Sequence, residues 1–240
     1  MRIGILQCDD VAEPLRETHR NYPEQFARLL ESQEPGLEWR TWRCLDGEIP
    51  TQVDIDAIDA WLITGSKYGV NDGDAWIERL CEFVRLLWAQ RRPLIGVCFG
   101  HQLIAKALGG EVERSPRGWG VGVSYNRITA QAPWMTPPRD ALNLLVSHQD
   151  QVAQLPAETR VLAASDFCPF YLIQIGECFL GIQGHPEFTK AYSADLMNLR
   201  GDRMPADRVR DGQASLADEI DSETMARWML AFWRQAGAGR

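Results

Sequence analysis

No uninterrupted apolar run in the sequence approaches the roughly 18 to 20 residues that a membrane-spanning helix requires. A membrane partner is therefore not expected. Nor is there a C-x-x-C pair or a grouping of cysteine and histidine at zinc spacing. The six cysteines (Cys8, Cys44, Cys81, Cys98, Cys168, Cys178) are widely spread, so reduced thiols and no metal are the expectation. A glycine-rich loop followed by lysine, the signature of a phosphate cradle, is missing too, and no cofactor is expected. Internal repeats and low-complexity segments are also lacking. Positive charge is in short supply: Lys and Arg number 25 against 33 Asp and Glu, a net charge of −8, which argues against nucleic acid as a partner. Histidine is scarce at four residues, which shortens the search for a general base. Met1 to Asp10 runs straight into a strand-like segment with no leader pattern, and a cytoplasmic location is the expectation.

What is present is enough apolar residue, 45% of a 240-residue chain, to bury a sizeable core. Ile3 to Cys8, Ala60 to Thr64 and Leu94 to Val97 are short apolar runs bounded by polar, Gly or Pro residues, as expected of strands buried on both faces. Between Asp74 and Gln90, Trp76, Leu80, Phe83, Val84, Leu87 and Trp88 recur at the spacing of one helix face. Alternating strands and helices predict an α/β domain with a doubly wound, mostly parallel sheet. After Val121 the pattern changes. Val121, Val123 and Tyr125 alternate with smaller or polar residues, and Leu142 to Ser147 is a further strand. Tyr171 to Ile175 and Cys178 to Gln183 flank Gly176-Glu177 as a hairpin, predicting antiparallel strands at one sheet edge. We read residues 1–190 as the main domain and 191–240 as a C-terminal helical extension packed on it. Met225, Trp228, Met229 and Phe232 form the apolar stripe of the last helix, and a loop is expected from about Arg200 to Ala217.

Cys98 differs from the other cysteines. It lies in Gly96-Val97-Cys98-Phe99-Gly100, between a buried strand and a helix that ends near Gly109-Gly110. Glycines on either side let the chain turn sharply and hold a nucleophile in a strained conformation at the strand's carboxyl end. The positive end of the following helix favours thiolate there, and the Phe99 N–H can donate to an oxyanion. By itself this pattern also fits a buried structural thiol at a βα turn.

A thiol nucleophile needs a base held by a third group. Gln183-Gly184-His185-Pro186-Glu187 offers both: Pro186 biases His185 away from helix, and His185 and Glu187, two apart, can lie on one side of the turn. Taken as a bare tripeptide, His-Pro-Glu fits a surface turn equally well. His19 follows a polar stretch and reads as exposed, His101 as packing within the helix after Cys98, and His148 as a turn or pocket residue.

Taken together, G-V-C-F-G-H-Q at 96–102, V-S-H-Q-D-Q-V at 146–152 and G-I-Q-G-H-P-E at 181–187 resemble, in order and spacing, the class I glutamine amidotransferases. Within that family the likeness is to the amidotransferase domain of GMP synthase and to stand-alone γ-glutamyl peptidases. The resemblance covers residues 1–190 and implies a flavodoxin-like α/β fold with a Cys98-His185-Glu187 triad. It implies an oxyanion hole from Phe99 and the loop at Gly65 and Ser66, and substrate contacts from Gln102, Ser147 and His148. Gly65-Ser66-Lys67 departs from the commoner two glycines followed by proline, which leaves open which N–H donates. The stretch Tyr68 to Trp76 reads as a longer loop near the site, closer to the peptidase branch.

The activity implied is hydrolysis of a γ-glutamyl amide, glutamine to glutamate and ammonia, through a γ-glutamyl thioester. The small-molecule substrate would be glutamine or a γ-glutamyl compound, and a synthase partner chain would accept the ammonia, since 240 residues do not hold such a domain as well. A γ-glutamyl peptidase, which needs no ammonia acceptor, is the alternative. A non-catalytic binding module of the same fold is the second.

Overall fold

A computed structural model describes residues 1–238 of the chain. The N-terminal half alternates strands and helices: β1 (Arg2–Gln7), α1 (Glu13–His19), α2 (Tyr22–Glu31), β2 (Glu38–Arg43), α3 (Gln52–Ala57), β3 (Ala60–Ile63), α4 (Ala75–Ala89), β4 (Leu94–Val97) and α5 (Phe99–Ala107). There follow β5 (Glu111–Arg114), β6 (Gly120–Ile128), β7 (Ala141–His148), β8 (Asp150–Gln154), β9 (Thr159–Ala164), β10 (Leu172–Ile175) and β11 (Phe179–Ile182). The chain closes with α6 (Lys190–Leu199), a 3-10 turn Gly201–Arg203, α7 (Ala206–Ser215) and α8 (Ser222–Ala238).

Nine strands form one sheet in the order β2-β1-β3-β4-β11-β10-β9-β6-β7, and β5 pairs with β8 apart from it. From β2 to β11 neighbours run parallel; from β11 to β7 they run antiparallel. The antiparallel part is thus one whole side of the sheet. The hairpin at Gly176-Glu177 forms as its sequence predicts, Gly176 taking φ 52°.

The central strands are apolar at nearly every position because helices cover both faces. Ile3 and Ile5 of β1, Ile95 of β4 and Leu180 of β11 join one core with Phe26 of α2 and Trp228 of α8. Leu6, Trp61, Leu94 and Phe179 join the other with Phe83 of α4 and Ile104 of α5. Each such side chain, fully buried, contributes roughly 1.5–3 kcal/mol from the water it leaves. The α4 stripe is buried as its spacing predicts, with Ile77 and Cys81 added and Trp76 and Trp88 half-buried at its margins. In α8, Met225, Trp228, Met229 and Phe232 are fully buried in the first core.

Two sequence expectations fail. The segment from Arg200 to Ala217 is no loop, since α7 occupies ten of its residues. Only Gly212 of α7 is buried, so no apolar stripe announced it. It is seated by backbone approach instead: Ser215 Oγ accepts from the Val123 N–H and donates to the Gly212 carbonyl, and a Cβ on Gly212 would come within 2.9 Å of Val121. His19 is buried rather than exposed, its Nε2 sharing a 2.7 Å hydrogen bond with Asp195 of α6. A partner 176 residues away is invisible to local patterning.

Candidate active site

Parallel strands gather their carboxyl ends along one rim, where open α/β sheets bind ligands. β4 runs between β3 and β11, with Ile63 opposite Gly96 and Val97 opposite Ile182. The residues that follow these three strands, Gly65, Cys98 and His185, therefore meet side by side.

Cys98 caps α5 with φ 51° and ψ −99°, a backbone conformation that L residues rarely adopt. The turn is tight enough to demand both flanking glycines. A Cβ on Gly96 would lie 2.3 Å from the Gly100 carbonyl oxygen, and one on Gly100 would lie 2.6 Å from the carbonyl oxygen of Ile63. The Cys98 N–H donates to Ile182 at 2.8 Å, which ties the turn to β11. Phe99 and Gly100 open the helix, where N–H groups have no intrahelical acceptor.

His185 is held from three sides. Its N–H donates to the Leu145 carbonyl at 2.8 Å, its ring stacks on Phe188 at 3.8 Å between centroids, and Nδ1 donates to Glu187 Oε1 at 2.6 Å. That leaves Nε2 for Cys98, whose side chain interacts with the ring. Burial pushes the imidazole's pKa down. The Glu187 carboxylate and the Cys98 sulfur outweigh it and hold the pKa well above the ordinary histidine value, so the ring keeps its proton. His148 behaves oppositely: burial and the charge on His185 pull it down to about 4 against a hydrogen bond with the Asp150 carbonyl. Of the other cysteines, Cys8, Cys44, Cys81 and Cys168 are pushed up by burial, Cys44 and Cys168 to about 12, and stay thiols.

The loop after β3 is pinned to the end of β1. Ser66 Oγ donates to the Cys8 carbonyl and accepts from the Tyr68 N–H, while Lys67 gives its backbone N–H to Asp9 Oδ2 and its Nζ to Asp9 Oδ1. The Lys67 N–H, which a proline would lack, is thus occupied. Gly65 lies so close to His185 that a Cβ there would sit 2.7 Å from its Cε1.

Cys98, Phe99, Gln102, Ser66, Ser147 and His148 line a cavity of about 350 Å³. Gly65, His185 and Glu187 do not line it. Gln102 spends its amide N–H groups on the Asp150 carbonyl and Gln183 Oε1, so it braces the wall as well as facing the cavity. The loop that runs from Tyr68 to Asp74, with Ala75 and Trp76 already in α4, closes one side, contributing Tyr68, Gly69 and Asp72. Sequence reading missed Arg114, Trp119, Asp150, Arg200 and Arg203, which also line it. Asp150 lies inside the V-S-H-Q-D-Q-V motif; the arginines arrive from distant segments and carry no local signal. Arg200 at the end of α6 donates to Ser147 Oγ at 3.3 Å, so the C-terminal extension reaches the site. Among the described residues, no group of three or more His, Cys, Asp or Glu is arranged to hold a metal ion, and no helix is long and apolar enough to cross a membrane.

A strained cysteine at a βα turn, beside a buried His-Glu pair on the rim of a parallel sheet, defines an α/β enzyme class of the cysteine-nucleophile type. The chain belongs to the class I glutamine amidotransferase family, whose pattern matches residues 44–197. It is 31% identical over 200 residues to γ-glutamyl peptidase 3 of Arabidopsis thaliana, covering 81% of this chain and 79% of that one. It is 32% identical over 169 residues to one of the subunits of the glutamine-hydrolyzing GMP synthase of Pyrococcus furiosus, covering 66% of this chain and 87% of that one. The structure of a glutamine amidotransferase from Methylobacillus flagellatus superposes with a TM-score of 0.76 at 20% identity, covering 98% and 94% of the two chains, and supports the fold.

Proposed function

We propose that this chain hydrolyses a γ-glutamyl amide bond with Cys98 as nucleophile, His185 as acid and base, and Glu187 as the group that orients His185. The observation that carries the reading is the buried His185–Glu187 hydrogen bond of 2.6 Å, on a ring that also interacts with the Cys98 side chain. The Cys98 sulfur attacks the substrate's δ-carbonyl carbon, and the oxyanion accepts from N–H groups at the start of α5 and from the Gly65-Ser66 loop. His185 gives its Nε2 proton to the departing nitrogen and a γ-glutamyl thioester remains. The ring then takes a proton from water, hydroxide displaces the thiolate and glutamate leaves. Ser147 with Arg200 would hold the α-carboxylate, and His148 and Gln102 shape the wall beside it. The nearby carboxylates of Asp72 and Asp150 suit an α-ammonium group.

Two fates of the nitrogen are supported. Relatives that belong to GMP synthases favour delivery of ammonia to a synthase partner chain; relatives named γ-glutamyl peptidases favour release of an amine. The test is glutamate release from glutamine and a panel of γ-glutamyl peptides, with Cys98→Ala alongside. Release is expected from the wild type and a loss of more than about a thousandfold from the variant, beyond the roughly hundredfold of a single oxyanion donor. Equal turnover by the variant would exclude the proposed nucleophile.

A further inference from the structure

Ammonia needs no room to leave, yet the cavity over Cys98 does not stop at the γ-glutamyl pocket. It shares Trp119, Gln149 and Arg203 with a second, outer cavity of about 450 Å³, formed by the Pro116–Gly118 turn and the start of α7. Arg117 and Arg208 line this outer space with Arg203, against a single carboxylate, Asp207. Arg114 and Arg200 stand at the inner end, where Lys67 is already paired with Asp9.

Of these cations, Arg114, Arg117, Arg200, Arg203 and Arg208 form no ion pair with a carboxylate among the described residues. Elsewhere the chain is acid-rich, at −8 overall, so partners are not scarce. Five guanidinium groups that form no ion pair around one cleft, with Asp72, Asp150 and Asp207 also lining it, repel one another, and that cost is offset when an anion binds between them. The guanidinium fork matches a carboxylate in two-point geometry. One of the outer guanidiniums, that of Arg208, is also positioned rather than loose. Arg208 donates to the Arg117 carbonyl at 3.1 Å and lies over the Phe167 ring, which ties α7 to the turn. One α-carboxylate needs one of the five, at Arg200 beside Ser147.

Resting on the hydrolytic reading above, we propose that Arg203, Arg117 and Arg208 form a leaving-group subsite for a carboxylate-bearing amine. The substrate is then a γ-glutamyl amino acid or short γ-glutamyl peptide with a free C-terminal carboxylate. The departing nitrogen carries that carboxylate into the outer cavity, and Trp119 walls the passage between the two spaces.

The experiment compares three substrates: a γ-glutamyl dipeptide with a free carboxylate, its C-terminal amide, and glutamine. The expected kcat/KM for the acid exceeds that for the amide by about tenfold or more, the worth of one or two charge-assisted hydrogen bonds. In Arg117→Gln/Arg208→Gln that preference falls toward unity, while hydrolysis of glutamine stays within about twofold, which also reports a folded enzyme. Equal rates on acid and amide, or a double variant that loses glutamine hydrolysis in the same proportion, would overturn the subsite alone. No glutamate from any of the three substrates would overturn the hydrolytic reading itself.

Discussion

At the scale of single residues, the site depends on contacts too close for any side chain but hydrogen. Gly65 is the sharpest case. A methyl group there meets His185 Cε1 at 2.7 Å, and the ring has no direction of retreat because Phe188 stacks on one face and Glu187 holds Nδ1. Gly65→Ala should therefore displace either the loop at Gly65-Ser66 or the imidazole by a fraction of an ångström. A fall in kcat on the order of a hundredfold is expected, with little change in thermal midpoint, measured by glutamate release and thermal unfolding. Activity within threefold of wild type would show that this contact does not set the ring's position. The three residues given the central roles were legible in the sequence because glycine and proline punctuate them at close range. The guanidiniums of Arg114, Arg200 and Arg203 were not, since long side chains from β5, α6 and the turn after it converge only once the chain has folded.

At the scale of elements, legibility followed apolar patterning. β4 begins and ends where Leu94 to Val97 predicts, and α4 falls one residue inside Asp74 and Gln90. α7 escaped notice because its seat on β6 is polar and backbone-mediated: the Ser215 hydroxyl, and the close approach of Gly212 to Gly122, where a Cβ would lie 2.5 Å from the Gly212 carbonyl oxygen. α8 shows the opposite balance, and we propose that it is part of the main folding unit rather than an appendage. Trp228 is fully buried, sets its indole edge against Trp134 at 6.3 Å between centroids, and donates Nε1 to the Pro137 carbonyl at 3.1 Å. Trp228→Ala should cost about 3–5 kcal/mol, read as a lowered urea midpoint in a single cooperative transition. A cost under about 1 kcal/mol, or an early separate transition for the last helix, would make α8 peripheral.

At the scale of the whole molecule, three buried histidines set how stability responds to pH, and their signs differ. His101 is held down to about 3 by burial and by His148; His148 is held down to about 4 by burial and by His185. Both take up protons near pH 6.5 in the unfolded chain but not in the folded one. Their contribution is present above that pH and is lost as pH falls toward 4, by about 2 kcal/mol each between pH 7 and pH 5. His185 is raised, so what it contributes is complete below pH 6.5 and fades as pH climbs above it. Asp10 lies below the usual carboxylate range through its hydrogen bonds with Arg43, and its contribution is lost only at stronger acid. The sum places maximum stability close to neutrality, with a steep acid side governed by two neutral imidazoles. His101 can be tested without touching the cavity, since it packs against Gly181 in the sheet and is fully buried. Urea unfolding of His101→Asn at pH 7 and pH 5 should show a loss about 2 kcal/mol smaller than that of the wild type, whatever the variant's stability at pH 7. An unchanged loss between the two pH values would mean that His101 takes up its proton in the folded chain as readily as in the unfolded one, and the acid side would then have another origin.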